Sequence, residues 1–259
     1  MKFVDVEEAR SLPGLRLVLT TGVPGPWGEA AKGILHVKRL PYVAVRHEGG
    51  GENAALAAWT SQTSAPVAVW NDEPPRTTSL GILFLAERLA PTPPLIPEDA
   101  DERARMLGYC QEIIGEQGLG WSRRLMMLHP ILAAAGDAAP APLRRLAGKY
   151  GYGADAAEAA PRRVAAILRM LAAQLERQRL AGRPFLVGTQ LTALDVYWAT
   201  FAAMLDPLPA EQCPMPEGLR MLYTAAGAVR DALDPALLAH RDFVYREYLE
   251  LPVDCTDDR

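Results

Sequence analysis

Apolar positions in the first third of the chain follow two different periods. Short apolar or alternating runs rich in β-branched residues predict three strands, over residues 15–21, 42–47 and 66–70. Apolar residues at helical spacing predict two helices, over residues 26–40 and 77–90. Residues 49–62 are predicted to be a Gly-rich loop followed by a short helix. The pattern also allows a short fourth strand near Arg76. The order strand, helix, strand, short helix, strand, turn, helix predicts an α/β domain.

The pattern changes after residue 90. The segment 91–99, PTPPLIPED, contains four prolines, which cannot continue a helix, and is predicted to be a linker. Beyond it, helical spacing dominates: residues 159–182 form the clearest amphipathic helix, and residues 192–208 are apolar on nearly all sides, which predicts a buried helix. The predicted domains are therefore an α/β domain, a linker and an all-helical domain, over residues 1–90, 91–99 and 100–259.

Composition narrows the class of protein. The chain has 259 residues, a net charge of −4 and no long basic block, which argues against nucleic-acid binding. Cys110, Cys213 and Cys255 lie far apart, which argues against disulfides or a zinc site and favours a reducing compartment. The four histidines show no metal-ligand spacing, so no metal is predicted. With no signal-peptide pattern and no apolar run of membrane length, we expect a cytoplasmic protein that does not bind membranes.

The turn VPGPWG follows the first predicted strand and leads into a helix that begins near Pro26. A helix N-terminus after a strand is a favoured place to hold a polar ligand. This turn, however, contains no Ser, Cys, Tyr, Lys or His. It is either a reaction centre without a nucleophilic side chain or only a connection.

Two further segments are candidates for ligand contact. Ala65-Pro66 stands at the start of a strand, either as an ordinary trans pair or as a cis bond that leaves the Ala65 backbone free to pair with a peptide-like ligand. Thr77-Thr78 opens the next helix. Its hydroxyls and the free N–H groups there either cap the helix or hold a carboxylate.

A capping signature lies in FLVGTQLTALDVY, where Thr192 and Asp195 form an S/T-x-x-D box. In their order and spacing, SAPVAVW, TTSLGILFLAERL and this segment resemble the glutathione transferase superfamily over residues 14–208. The resemblance implies an α/β thioredoxin-like N-terminal domain followed by an all-α helical-bundle C-terminal domain.

The resemblance also implies a glutathione site. The backbone of Ala65, before Pro66, would pair with the cysteinyl part of glutathione, and Thr78, with Thr77, would bind its γ-glutamyl carboxylate. The helix that begins near Pro26 would point its positive end at the sulfur, which favours thiolate over thiol.

The chain departs from this family at the catalytic position. The Ser or Cys of two family types falls on Gly25, and the Tyr of a third falls on Thr21. The candidate catalytic donors are therefore the Thr21 hydroxyl and the indole N–H of Trp27, although Trp27 is alternatively a packing residue. Backbone N–H groups at the helix start, from Gly25, Trp27, Gly28 or Glu29, are a further source of thiolate stabilisation.

Three pairs of residues complete the candidates. Glu73 and Arg76 either touch the ligand or form a solvated ion pair, and His47 or Arg46 would meet the glycyl carboxylate of glutathione. In the helical domain, Trp121 and Met126 form either a hydrophobic substrate pocket or part of the core.

The resulting hypothesis is a glutathione transferase that acts on a small hydrophobic electrophile, with glutathione as co-substrate. The alternative is a catalytically inactive ligand-binding or protein-interaction module on the same fold, which Gly25 supports. The resemblance also implies a homodimer.

Overall fold

The computed structural model describes residues 1–256 and packs as two compact units. The first unit contains residues 1–93, 209–215 and 248–256, and the second contains residues 94–208 and 216–247. This division differs from the predicted one, which placed everything after residue 100 in the helical domain. The later segments join the first unit because they bond to each other, through Val253 N–H and the Gln212 carbonyl, 2.7 Å apart, and to the first unit itself.

A four-stranded mixed sheet forms the centre of the first unit. Its strands are β1 (Phe3–Val4), β2 (Leu15–Thr20), β3 (Val43–His47) and β4 (Val67–Trp70). The order is β1-β3-β2-β4, with β1, β3 and β2 parallel and β4 antiparallel to β2. The three predicted strands are thus confirmed as β2, β3 and β4.

The edge strand β1 was not predicted, because two residues are too short to show a period. It pairs with Ala44 and Val45 of β3 and is followed by the short helix α1 (Val6–Ser11). On the other side of the sheet, Arg76 makes a single bridge to Ala68 in place of a fourth predicted strand.

Helices cover both faces of this sheet: α2 (Pro26–Val37), α3 (Ala54–Thr60) and α4 (Ser79–Leu89) join α1. One face packs Val18 and Val45 against Ala9 of α1 and Leu56 of α3. On the opposite face lies Leu19, because successive strand residues alternate. A Cβ at Gly28 of α2 would stand 3.3 Å from its Cδ2, so α2 lies close over β2.

A buried lysine joins α2 to α4. The Lys38 ammonium, at the C-terminus of α2, lies 2.6 Å from Glu87 Oε1 of α4 and donates to the Pro93 carbonyl, also at 2.6 Å. A buried cation requires such partners. The two helices that begin at the edge where β2 ends are therefore fixed relative to each other.

The second unit is helical. Its helices are α5 (Ala100–Ile114), α6 (Leu119–Ala135), α7 (Ala141–Lys149), α8 (Ala154–Leu180), α9 (Ala193–Phe201), α10 (Glu217–Tyr223), α11 (Gly227–Asp231) and α12 (Pro235–Tyr248). Helix α6 packs along α8, and α9 packs against α5. Every residue of α9 is buried, as its uniformly apolar sequence predicts.

The predicted capping box is confirmed at the start of α9. The Asp195 carboxylate accepts from Thr192 N–H at 2.9 Å and from Leu186 N–H at 2.9 Å. His240 Nε2 of α12 lies 2.8 Å from the same carboxylate. One buried aspartate thus fixes the start of α9, the segment before it and α12.

Candidate functional site

The register of the sheet brings three predicted segments of the first unit to one edge. Val67 of β4 lies opposite Val18 of β2, so Ala65, two residues earlier, continues this register opposite Thr20. Arg76 makes a single antiparallel bridge to Ala68 of β4, and Thr77 and Thr78 follow it directly in the chain. The turn that follows Thr20, the Ala65-Pro66 pair and Thr77-Thr78 therefore each lie within two or three residues of a paired residue of β2, of β4 or of this bridge.

Backbone hydrogen bonds define the turn between β2 and α2. Thr21 N–H donates to the His47 carbonyl at 3.2 Å, and Gly22 N–H donates to the Cys255 carbonyl at 2.8 Å. Gly22 has a φ of 75°, which suits glycine. Gly25, the N-cap residue of α2, donates its own N–H to the Val23 carbonyl at 2.8 Å.

These bonds reduce the set of backbone donors that the sequence allows. The N–H of Gly25 is used within the turn, and that of Glu29 donates to the Gly25 carbonyl at 2.9 Å. Trp27 and Gly28 follow Pro26 in the first turn of α2 and lie at its positive end.

The other two segments frame the same edge. The Ala65-Pro66 peptide bond is cis, and Ala65 is half-buried. Thr78 is exposed and caps α4, with its hydroxyl oxygen accepting from Gly81 N–H at 3.0 Å. A hydroxyl that accepts one bond still has its proton to donate. The cap is therefore present, and the role of Thr78 in holding a carboxylate stays a prediction.

No family model and no curated protein matches this sequence. Solved structures match it over nearly its whole length. A glutathione S-transferase from Methylobacterium radiotolerans, in complex with glutathione sulfonate, is 17% identical with a TM-score of 0.61, covering 95% of this chain and 96% of that chain. The chain has the glutathione transferase fold.

Two further structures with this fold are similar to the chain. The β-etherase LigF from Sphingobium sp. strain SYK-6 is 18% identical with a TM-score of 0.64, covering 91% of this chain and 96% of that chain. A maleylacetoacetate isomerase from Methylobacterium extorquens AM1, with bound malonate and glutathione, is 19% identical with a TM-score of 0.58, covering 90% and 92%. The predicted fold class, a thioredoxin-like unit with a helical unit, is confirmed.

The structure places Gly25, which the resemblance aligns with a Ser or Cys, at the N-cap of α2. Gly25 has a φ of −69° and open space around the position of a Cβ. The Thr21 side chain is half-buried at the end of β2, and Trp27 is half-buried in the first turn of α2. The catalytic roles of Thr21 and Trp27 stay predictions.

His47 is buried, and both of its ring nitrogens bond within the first unit. Nδ1 lies 2.9 Å from the Thr20 hydroxyl, and Nε2 lies 3.0 Å from the Thr63 carbonyl. The expectation that His47 meets a ligand carboxylate is therefore wrong, because its ring links β2 and β3 to the segment before Ala65. Arg46 lies 3.3 Å from Asp5 at the β1 side.

Glu73 joins two arginines beside the Thr77-Thr78 pair. Its Oε2 lies 2.9 Å from Arg76 Nη2 and 2.6 Å from Arg88 Nη2 of α4. The hydrogen bond from Arg88, followed by the charges of both arginines, lowers the pKa of the Glu73 carboxyl. The ion pair that the sequence allowed is thus present and includes a second arginine.

A charged cluster behind the turn was not predicted. The Lys32 ammonium of α2 lies 2.8 Å from Glu29 Oε2 and donates to the Asp254 carbonyl at 2.6 Å. The side chains of Lys32 and Glu29 are only 9% and 13% exposed. Burial raises the pKa of Glu29, while Lys32 opposes this effect. The Glu29/Lys32 spacing signals a helical pair, but nothing in the sequence signals Asp254 as its partner.

Burial and this cluster also raise the pKa values of two further groups. Burial, and then the charge of Glu29, raises the pKa of the Cys255 thiol to about 11. Burial and Glu29 also raise the pKa of Tyr42. Both groups stay protonated at neutral pH, so Cys255 is not a thiolate nucleophile here.

Within the helical unit, Trp121 of α6 donates its indole N–H to the Tyr150 carbonyl at 2.9 Å and packs edge-on against the Tyr150 ring, with centroids 4.8 Å apart. Met126 Sδ lies 3.8 Å from Arg123 Nη1. Both side chains are half-buried. These contacts fit a packing role, and a substrate-binding role for Trp121 and Met126 stays a prediction.

Among residues 1–256, none of the helices is both long and apolar enough to cross a membrane. Among the same residues, no three side chains of His, Cys, Asp or Glu come together as metal ligands.

Proposed function

We propose that this protein binds glutathione at the edge where β2 ends and transfers the glutathione sulfur to a small hydrophobic electrophile. The observation that carries the proposal is the convergence of the α2 N-terminus, Ala65 and Thr78 at that edge. A peptide-like ligand with a carboxylate and a thiol needs a backbone to pair with, a donor for the carboxylate and a positive group for the sulfur. The three elements supply these in one place.

In the proposed complex, each element has one role. Ala65, which precedes the last ladder pair of β4, offers its backbone to the cysteinyl part of glutathione. Thr78, with Thr77 beside it, donates to the γ-glutamyl carboxylate at the start of α4. The amides of Trp27 and Gly28, and the Trp27 indole or the Thr21 hydroxyl, stabilise the thiolate.

The reaction that follows is proposed as attack of this thiolate on the electrophile. A bond forms between the glutathione sulfur and the electrophilic carbon, and a leaving group departs with the electron pair of its bond. We also propose a cytoplasmic homodimer, whose assembly analytical ultracentrifugation would test.

Calorimetric titration of the purified protein with reduced glutathione at neutral pH tests the binding step. We expect saturable binding with a Kd in the micromolar to low-millimolar range. If no heat is detected and high glutathione does not raise the Tm, the proposed glutathione site is wrong. An activated aryl chloride then tests the transfer step in the protein that binds.

A second candidate function is binding without catalysis, and Gly25 favours it. Gly25 supplies no hydroxyl or thiol at the position where the Ser and Cys types of the resembled family carry one. A pure binding module would show saturable glutathione affinity and no turnover with any electrophile. An intact transferase would show both.

A further inference from the structure

The turn at the candidate sulfur site is held in part from outside. Residues 22–28 include three glycines, which give a backbone the most freedom, and two prolines, which fix φ. Within the turn, Gly25 N–H bonds to the Val23 carbonyl; from outside it, the Gly22 N–H donates to the Cys255 carbonyl at 2.8 Å. This acceptor comes from the opposite end of the chain.

The Cys255 carbonyl is itself held firmly in the first unit. The preceding carbonyl, of Asp254, accepts from the Lys32 ammonium at 2.6 Å, and Val253 N–H donates to the Gln212 carbonyl at 2.7 Å. The Val253 and Cys255 side chains are both buried. The segment is therefore a packed part of the unit.

The contacts close a ring that includes the start of α2. Gly22 binds Cys255, the neighbouring Asp254 carbonyl binds Lys32, and Lys32 pairs with Glu29 in the first turn of α2. The Glu29 N–H in turn bonds to Gly25, the N-cap. A change at any point of this ring is transmitted to the backbone between Gly22 and Glu29.

We infer that the C-terminal segment, residues 248–256, is a positioning element of the candidate glutathione site: the Cys255 carbonyl fixes the Gly22 amide and so sets the direction of the first turn of α2 toward the sulfur. This inference rests on the proposed function. Stabilisation of a thiolate by helix-end amides depends on their orientation, which must be set before the ligand arrives. A turn released from Cys255 has to be ordered by glutathione itself, at a cost in affinity.

The positioning role belongs to the Cys255 carbonyl, which accepts from Gly22 N–H, and not to the Cys255 thiol. Variants that remove one group and keep the other therefore form a matched set. A chain that ends at Asp254 with an amidated C-terminus lacks the Cys255 carbonyl but keeps the neutral carbonyl that accepts from Lys32 and gains no charge. A chain that ends at Thr256 keeps both and lacks only residues 257–259. Cys255→Ala in the full chain removes the thiol and keeps the carbonyl.

Glutathione affinity by calorimetry is the first readout. We expect the chain ending at Asp254 to bind glutathione roughly fivefold more weakly than the full chain, the loss of about one hydrogen bond. The chain ending at Thr256 and Cys255→Ala should bind like the full chain. Equal affinity of all four proteins would overturn the inference, and so would a loss in Cys255→Ala as large as that on truncation.

The second readout separates positioning from general loss of structure. The ultraviolet absorbance of the bound thiolate, followed against pH, should show the thiol ionising at a higher pH in the chain ending at Asp254. A purely structural role would lower the Tm and leave this midpoint unchanged, which contradicts the inference. If that chain does not fold, Val253→Ala, which loosens the segment without touching the turn, should weaken binding in the same direction, and unchanged binding would overturn the inference.

Failure of the proposed function has a different signature. A full chain that binds no glutathione removes the proposed site, and the positioning role falls with it. If the full chain and the chain ending at Asp254 bind glutathione with equal affinity, the proposed function stays intact. Only the positioning role of the C-terminal segment is then removed.

Discussion

The Thr20 hydroxyl and Nδ1 of His47 lie 2.9 Å apart, at the ends of the parallel strands β2 and β3. On the other side of the ring, Nε2 lies 3.0 Å from the Thr63 carbonyl. A carbonyl only accepts, so Nε2 carries a proton and, in the neutral ring, Nδ1 accepts from Thr20. One buried imidazole thus ties two strands to the segment that leads into Ala65.

Loss of this imidazole should destabilise the first unit. His47→Phe keeps an aromatic ring of similar shape but removes the bonds to the Thr20 hydroxyl and to the Thr63 carbonyl, which also accepts from Asn53 Nδ2 at 3.3 Å. We expect the free energy of unfolding to fall by about 2 kcal/mol, and by about 1 kcal/mol in Thr20→Val. Urea denaturation measures both. Thr63→Ala, which keeps its carbonyl, serves as the control, and a loss there equal to that of His47→Phe would contradict the assignment.

Gly25 should accept a side chain that Gly22 does not. Gly25 has a negative φ and free space, whereas Gly22 has a φ of 75°. Gly25→Ser should change the free energy of unfolding by less than about 0.5 kcal/mol, since Ser is also a good N-cap, while Gly22→Ser should cost about 1 kcal/mol.

Gly25→Ser also tests the chemistry of the turn. A hydroxyl at the N-cap adds a donor to the thiolate, so we expect faster transfer to an activated aryl chloride at neutral pH. A rate equal to that of the unchanged protein would mean that the sulfur does not lie next to residue 25, or that other donors already suffice.

Thr78 should affect both stability and ligand affinity. Thr78→Val removes the acceptor for Gly81 N–H and should lower the free energy of unfolding by roughly 1 kcal/mol. It should also weaken glutathione binding about tenfold, since the bond to a carboxylate is lost. Thr78→Ser keeps the oxygen and should restore both. Urea denaturation measures the free energy of unfolding, and calorimetry measures the glutathione affinity. If Thr78→Val lowers stability but leaves the affinity unchanged, Thr78 is a helix cap only.

The raised pKa of the Cys255 thiol predicts that the folded protein loses stability at alkaline pH. Its pKa is about 11 in the folded protein against 9.0 for an ordinary thiol, so the folded state holds the proton more tightly. The stabilisation is complete below pH 9 and is lost as the pH rises toward 11, by about 2 kcal/mol in total. The difference in unfolding free energy between the full chain and Cys255→Ala, measured from pH 8 to 11, should shrink over that window. A constant difference would contradict a raised pKa.

Elements of ordinary length were predictable from sequence, because their periods span several repeats. The strands β2, β3 and β4 and the capped helix α9 are of this kind. The edge strand β1 is not, since its two residues gain their strand geometry only by pairing with Ala44 and Val45. Helix α6 likewise continues through Pro130, a residue type that commonly kinks or ends a helix.

The residues of the candidate site were likewise predictable from sequence only in part. Ala65-Pro66 and Thr78 lie on elements with local signals, and the structure brings them to one edge. His47 was misassigned, because a strand pattern does not reveal that Thr20 and Thr63 supply partners for both ring nitrogens. The bond between Gly22 and Cys255 had no sequence signal at all, since a backbone carbonyl is the same in every residue type.

The position of residues 248–256 within the first unit has a consequence for synthesis. A ribosome completes the strands and helices of that unit long before it reaches these residues. Until then, the Gly22 amide lacks the Cys255 carbonyl, and Lys32 lacks the Asp254 carbonyl. The bond from Gly22 to Cys255 can form only after Cys255 has left the exit tunnel. The first unit is therefore completed late, although most of its residues are synthesised before those of the helical unit.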